Sequence, residues 1–244
     1  MKKINLNNIY KKDDFLIVDN EKTSVVFSTA EKNRSFNRNT SDGLETLNSL
    51  KKDFNVDKVI YLKQIHSDEV LIYNGEEDFN ENSADGIITN LKNVLIGVFT
   101  ADCVPVIIIN EEYGVIGAVH SGWKGTIKSI TKVCLDKMTK VYGVNHKNTK
   151  IYIGPHIRKC CYEISEDLKE KFIEEKDIDK DILFDGRNLN LESCIEKDAK
   201  DFGVKDENIN SIPLCTYCEE EIKLHSYRKS DGSYGRLFTF AILK

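Results

Sequence analysis

Val94-Leu-Ile-Gly-Val-Phe-Thr-Ala-Asp-Cys-Val-Pro-Val-Ile-Ile-Ile-Asn-Glu-Glu-Tyr-Gly-Val-Ile-Gly-Ala-Val-His-Ser-Gly-Trp-Lys-Gly-Thr126 is the stretch around which the chain is organised. Two apolar runs in it, Val94–Thr100 and Val115–Val119, are short and rich in β-branched residues, which predicts buried strands. Each run opens into a polar cluster: Thr100-Ala-Asp102-Cys103 after the first, and His120-Ser-Gly-Trp-Lys124-Gly-Thr126 after the second. Loops that leave the carboxyl ends of strands are where open α/β sheets bind ligands, so a thiol and an imidazole at two strand ends are candidates for one pocket. Pro105 and Gly122 follow them closely, as if the backbone must turn to present each side chain.

Outward from this stretch, the pattern predicts a mixed α/β (α+β) fold with sheets flanked by helices. Phe15–Val18 and Ser24–Ser28 read as a hairpin turning at Asp19-Asn20. Asp42 and Glu45 read as a capping pair for a helix carrying Leu44, Leu47, Leu50 and Phe54. Strands are expected at Val59–Ile65, Val70–Tyr73, Ile87–Thr89, Ile151–Pro155, Ile209–Leu214 and Leu237–Leu243, with Ser83-Ala-Asp85-Gly86 as a turn signal. Ile127, Ile130, Val133, Cys134, Met138 and Val141 form one helical stripe ended by Gly143, and Leu191, Cys194, Ile195, Ala199 and Phe202 form another ended by Gly203. Cys134 and Cys194 are therefore assigned to the core. The carboxylate-rich segment Glu163–Asp181 reads as a helix with a solvated acidic face, since it has no calcium-loop spacing.

No linker-like stretch divides the 244 residues, and the three prolines are scattered, so one domain over residues 1–244 is expected. A net charge of −5 argues against nucleic acid or an anionic membrane as partner. The amino-terminal residues lack the apolar core of a signal peptide, and no apolar run is long enough to span a bilayer, so a cytoplasmic location is expected. In that reducing compartment, the seven cysteines are more readily hydrophobes, ligands or nucleophiles than disulfides.

Cys215-Thr-Tyr-Cys218 is a lone C-x-x-C, a weak metal or redox signal that an incidental loop pair explains equally well, and the adjacent Cys160-Cys161 rarely bind one metal together. His146 is expected to be exposed in a loop, and His156 and His225 carry no assignment. The glycines and Lys124 after His120 suggest an anion site at a helix start, although the spacing is not that of a Walker A loop.

Gln64-Ile-His66, Ala84-Asp85-Gly86, Thr100-Ala-Asp102-Cys103-Val-Pro105, Ala118-Val-His120-Ser-Gly-Trp123-Lys-Gly-Thr126, Ile153-Gly-Pro155 with Cys161-Tyr-Glu163, and Cys215-Thr with Ser226-Tyr-Arg228 and Gly235-Arg236 together resemble the YfiH-like family. Its members are also called laccase-domain or polyphenol-oxidase-like proteins. The match runs in order from about Phe27 to Leu243. The resemblance implies a mixed α/β catalytic domain and zinc-dependent purine nucleoside phosphorylase activity toward adenosine, inosine and methylthioadenosine, with adenosine deaminase activity. It also implies a Zn²⁺ site formed by His66, Cys103 and His120. Two departures affect substrate contacts: Ala30 stands where the family usually has Arg, before a shortened loop that keeps Ser35-Phe-Asn37, and Lys124 replaces an Arg, keeping charge but losing a bidentate fork.

Three protein ligands leave one tetrahedral position open, the arrangement of catalytic zinc. Deamination needs a proton shuttle, for which Asp102 and Glu163 are the nearest carboxylates, although Asp102 fits equally well as a group that orients a ligand. Phosphorolysis needs cations for phosphate, and Lys124 and Arg228 are the candidates, with surface ion pairing as the bland alternative. The expected partners are purine nucleosides and phosphate, with a homodimer as the one assembly left open.

Three rivals remain. A metal-free Cys–His hydrolase or deamidase would use Cys103 and His120 and has no need of His66. Copper oxidation would use the same ligand types, but five histidines in the whole chain are too few for a multicopper cluster, so copper is not favoured. A binding module without catalysis is the third.

Overall fold

The computed structural model describes residues 1–6, 9–230 and 235–244. Two β-sheets pack face to face, with helices on the outer side of each. The larger sheet runs, in spatial order, Lys2–Lys3, Ile209–Ser211, Lys150–Ile153, Val104–Asn110, Val115–Ser121, Gly86–Thr89 and Val70–Ile72. The second sheet runs Tyr10–Lys12, Phe15–Asp19, Thr23–Ser28, Leu237–Leu243, Val94–Thr100 and Lys58–Ile60. Both are mixed: Val104–Asn110 and Val115–Ser121 are antiparallel, as are Leu237–Leu243 and Val94–Thr100, whereas Lys58–Ile60 joins Val94–Thr100 in parallel.

Side-chain alternation explains why the central strands read as continuous apolar runs. Ile107, Ile109, Ile116 and Ala118 enter the layer between the sheets, where they meet Val25, Phe27, Ile96 and Val98. Their neighbours Val106, Ile108, Val115 and Val119 point the other way, onto the helices Ile130–Tyr142 and Leu191–Asp201. Leu95 and Phe99 turn to the far side of the second sheet, against Phe36, Phe238, Phe240 and the helix Ser41–Asp53. A strand buried on both faces has no polar alternation to reveal its period.

The sequence-based expectations differ from the structure at several points. Val104–Asn110 is a third central strand, unread because Pro105 argues against one; its ring is accommodated at the strand start, where its carbonyl still accepts Gly154 N–H at 2.9 Å. The expected strand Val59–Ile65 ends at Ile60 and continues as irregular chain. Thr40, rather than Asp42, caps the first helix by accepting Gly43 N–H at 3.1 Å. The stripe beginning at Ile127 is broken by Ser129, whose φ of 57° is left-handed, into helices Trp123–Ile127 and Ile130–Tyr142. The acidic segment forms two helices, Glu166–Glu175 and Lys180–Leu183.

His146, expected to be exposed, is 4% exposed. Its ring nitrogens find Thr139 Oγ1 at 2.9 Å, Thr149 Oγ1 at 3.0 Å and the Leu135 carbonyl at 3.0 Å, and these polar partners let it replace solvent. Cys134 and Cys194 are buried in the core as expected. Among the described residues no helix is long and apolar enough to cross a membrane.

Candidate metal centre and pocket

Two of the chain's crossings between the sheets carry a sequence-predicted candidate ligand. Val94–Thr100 belongs to one sheet and Val104–Asn110 to the other, and the turn between them holds Asp102 and Cys103. Likewise the chain from Lys58–Ile60 to Val70–Ile72 changes sheets and carries His66. His120 lies near the end of Val115–Ser121, with Pro105 as its cross-strand neighbour. The three ligand atoms come within 4.8 Å of one another. Cys103 Sγ lies 3.9 Å from His66 Nε2, and the two imidazole rings meet edge to face with centroids 4.8 Å apart. These are the three residues implied as metal ligands, brought together across spacings of 37 and 17 residues.

Backbone geometry holds the ligands where side-chain preference alone would not. His66 has φ 58° and Asp102 φ 95°, both in the left-handed region that non-glycine residues rarely occupy. The first is stabilised by Asp85, which is completely buried at the start of Gly86–Thr89. Its carboxylate accepts the backbone N–H groups of Ile65, His66 and Ser67 at 3.2, 3.0 and 2.6 Å, and the Ser67 hydroxyl at 2.7 Å. It also pairs with His120 Nδ1 at 2.8 Å, which leaves Nε2 to face Cys103 and His66. The second is stabilised by its own carboxylate, which accepts Thr216 Oγ1–H at 2.6 Å and Arg228 N–H at 2.7 Å.

Electrostatics follow from that packing. Burial would raise the Asp85 carboxyl, but His120 and Ser67 outweigh it and hold the group at about 2. Burial would also raise the Cys103 thiol, yet the flanking His120 and His66 bring it down to about 6. Burial disfavours charge on His120, and the Cys103 thiolate together with Asp85 overrides this to lift it to about 9. The donor set is thus a thiolate beside two oriented imidazoles, which suits a borderline-soft ion such as Zn²⁺.

Above the three ligands opens a cavity of about 500 Å³, of the size that takes a small organic ligand. Its walls include Phe99, Trp123, Tyr162 and Tyr227 together with the guanidinium-bearing residues Arg38, Arg228 and Arg236. Arg228 lies over the Tyr162 ring at 5.3 Å and donates to the Glu163 carbonyl at 2.9 Å. Asp102 and Arg228 both line the pocket. Glu163 and Lys124 are not part of its wall: the Glu163 side chain is exposed and paired with Arg187, and Lys124 lies over the Trp123 ring at 5.5 Å.

Several residues that support the centre are legible in the sequence only as members of resemblance motifs, without a role. Gln64 binds the Phe99 backbone twice, at 2.8 and 2.7 Å, and so ties the His66 loop to the Cys103 strand. Asp85 stands in both the turn signal and the Ala84-Asp85-Gly86 motif of the resemblance, but its buried bond to His120 shows only in the fold. Ala30 is buried and places no cation in the pocket wall, whereas Arg38 from the shortened loop does.

A family model described as multi-copper polyphenol oxidoreductase laccase matches residues 26–244. A purine nucleoside phosphorylase of Clostridium acetobutylicum is 42% identical over 97% of this chain and 100% of its own length. Another of that name from Borreliella burgdorferi is 36% identical over 70% of this chain and 74% of its own. Among solved structures, the Bacillus licheniformis hypothetical protein YfiH superposes with a TM-score of 0.87 at 21% identity, covering 96% of this chain and 98% of that one. YlmD from Geobacillus stearothermophilus gives 0.86 at 19%, covering 97% and 98%. By the extent of the family match and the end-to-end identity to the clostridial relative, this chain belongs to the multi-copper polyphenol oxidoreductase laccase family, the YfiH-like proteins.

Proposed function

We propose that the protein is a zinc-dependent purine nucleoside phosphorylase that also deaminates adenosine. The observation that carries this reading is the meeting of His66, Cys103 and His120 at the base of an aromatic, guanidinium-lined cavity, in a chain whose relatives are named purine nucleoside phosphorylases. A bound zinc ion would supply Lewis-acid polarisation at that base. The remaining work falls to the chain.

Phe99, Tyr162 and Tyr227 offer flat apolar surface for a purine. Thr100 Oγ1 is buried in the pocket wall without a hydrogen-bond partner among the described residues, so a polar ligand atom there would remove an unmet need. Arg228, Arg236 and Arg38 offer cationic groups for phosphate. Asp102 holds the backbone of Arg228 in place. Seven free thiols suit a cytoplasmic enzyme.

A second reading deserves a test because Cys103, His120 and Asp85 also line up as nucleophile, base and orienting carboxylate, which is the arrangement of a metal-free Cys–His hydrolase. The two readings part at His66. Phosphate-dependent release of base from adenosine, inosine and methylthioadenosine, measured together with bound zinc on wild type, Cys103→Ala and His66→Ala, separates them. Under the zinc reading both variants lose metal and activity together; activity retained in metal-depleted His66→Ala would overturn it.

A further inference from the structure

Away from the pocket base, four more thiols meet. Cys160, Cys161, Cys215 and Cys218 place all their sulfurs within 4.8 Å of one another, and Cys160 Sγ lies 3.7 Å from Cys218 Sγ. A tetrahedral ion with Zn–S bonds of about 2.3 Å has sulfur–sulfur edges of about 3.8 Å. None of the four is in a disulfide. Hydrophobic burial does not explain the gathering, since Cys160 and Cys218 are exposed.

We infer that Cys160, Cys161, Cys215 and Cys218 form a second, four-thiolate zinc site, structural in kind and separate from the His66–Cys103–His120 centre. The local backbone is built for it. Adjacent cysteines in a strand point to opposite faces, but residues 159–161 form a turn closed by Cys161 N–H to the Arg158 carbonyl at 2.9 Å, which brings both thiols to one side. The C-x-x-C segment turns as well, with Glu219 N–H on the Cys215 carbonyl at 3.0 Å. Arg158 N–H reaches the Cys215 sulfur at 3.5 Å and so fixes its place in the cluster. Four thiolates and no open position make a closed site with no catalytic vacancy.

Its position gives it a task. Tyr162, next to Cys161, is in the pocket wall, and Thr216, inside the C-x-x-C, donates to Asp102 at 2.6 Å. An ion shared by the two segments would brace both pocket elements, 57 residues apart in sequence at Arg158 and Cys215.

The inference is independent of the reaction proposed above, and zinc stoichiometry tests it on the full chain purified under reducing conditions. Wild type is expected to bind about two ions per chain, Cys103→Ala one, and Cys160→Ser/Cys218→Ser one. X-ray absorption on zinc-loaded Cys103→Ala should show an all-sulfur shell at about 2.3 Å. The double variant should unfold at a lower temperature and lose nucleoside affinity several-fold, while its remaining ion keeps the mixed nitrogen and sulfur shell. Should the double variant prove insoluble, Cys160→Ser alone, at an exposed position, serves the same comparison. The inference is overturned if zinc-loaded wild type and the cysteine variants hold equal metal, or if the ion retained by Cys103→Ala has no all-sulfur shell. A missing second ion leaves the first centre intact, whereas failure of the phosphorylase reading would leave the four-sulfur shell in place.

Discussion

The buried carboxylate of Asp85 accepts from His120 Nδ1 at 2.8 Å while also capping three successive backbone N–H groups of the His66 loop. One side chain thereby sets the ring orientation of one ligand and the backbone conformation of another. Through Gln64, the same loop is tied to the strand that leads to Cys103. The geometry of the centre is fixed by second partners more than by the ligands themselves.

Asp85→Asn should weaken zinc binding by about 10- to 100-fold, because an amide cannot serve all of these donors. It should also alter acid stability in a defined window. The carboxyl is held at about 2 in the folded chain against an ordinary 3.8, so the native state binds fewer protons than the unfolded state between these values. Its contribution, about 2 kcal/mol, is complete above pH 3.8 and disappears as pH falls through about 2. Urea unfolding of metal-free wild type and Asp85→Asn should therefore differ by a constant amount between that window and pH 6.5, converge below the window, and narrow as pH rises through about 9, where His120 loses its proton.

Gly122→Ala tests how tightly the ligands are packed. A Cβ at Gly122 would lie 2.9 Å from His66 Cδ2 and 3.0 Å from Cys103 Sγ, while its φ of −69° suits any residue. The backbone therefore tolerates alanine, and the cost falls on the two ligands. Zinc affinity should drop at least about tenfold with unchanged circular dichroism, as chelator competition would register.

Cys103 should react well ahead of the core thiols Cys134 and Cys194 in metal-free protein. Its thiol is brought down to about 6, whereas burial pushes Cys134 and Cys194 up to about 12. The thiolate form persists above pH 6 and is lost as pH falls below it. Peptide mapping after iodoacetamide treatment should give a Cys103 rate that is level from pH 7 to 9 and declines about tenfold per unit below 6. Added zinc should suppress the reaction.

How much of this was legible depends on the kind of information each residue carries. The apolar run Leu237–Leu243 and the periodic helix Leu191–Asp201 lie where the pattern puts them. Val104–Asn110 was hidden by Pro105, and the division into two sheets was invisible because both faces of the central strands are apolar. His66, Cys103 and His120 were recognisable as candidate ligands through motif resemblance, since spacings of 37 and 17 residues obey no local rule. The four-thiol cluster was not recognisable: it depends on a turn at Cys160-Cys161 meeting a second turn 54 residues on, a purely tertiary event. Glu163 stands out in the sequence by nearness to the motifs and Lys124 by charge and loop position; in the fold the Glu163 side chain pairs with Arg187 and Lys124 lies over the Trp123 ring.

That difference gives a prediction about phosphate. Arg228→Ala should raise the phosphate KM by about tenfold or more, the value of a charge-assisted hydrogen bond, with a smaller effect on nucleoside KM. Lys124→Ala should leave both within about twofold, as expected of an exposed cation. Steady-state kinetics with each substrate varied in turn makes the comparison.

Asp102 separates positioning from proton transfer. Both of its oxygens are occupied, one by the Thr216 hydroxyl at 2.6 Å and the other by Arg228 N–H at 2.7 Å, so it has little freedom to exchange a proton with a nucleoside. Asparagine tolerates the left-handed backbone at φ 95° and can keep one acceptor, while the Thr216 hydroxyl can reverse to accept from its amide. Asp102→Asn should therefore lower phosphorolysis and deamination together, by about tenfold or less, with zinc retained. A general acid–base role would instead remove deamination selectively, by about 10²- to 10⁴-fold, and leave phosphorolysis near wild type. Parallel assays of both products on the zinc-loaded variant decide between a carboxylate that holds Arg228 in register and one that moves protons.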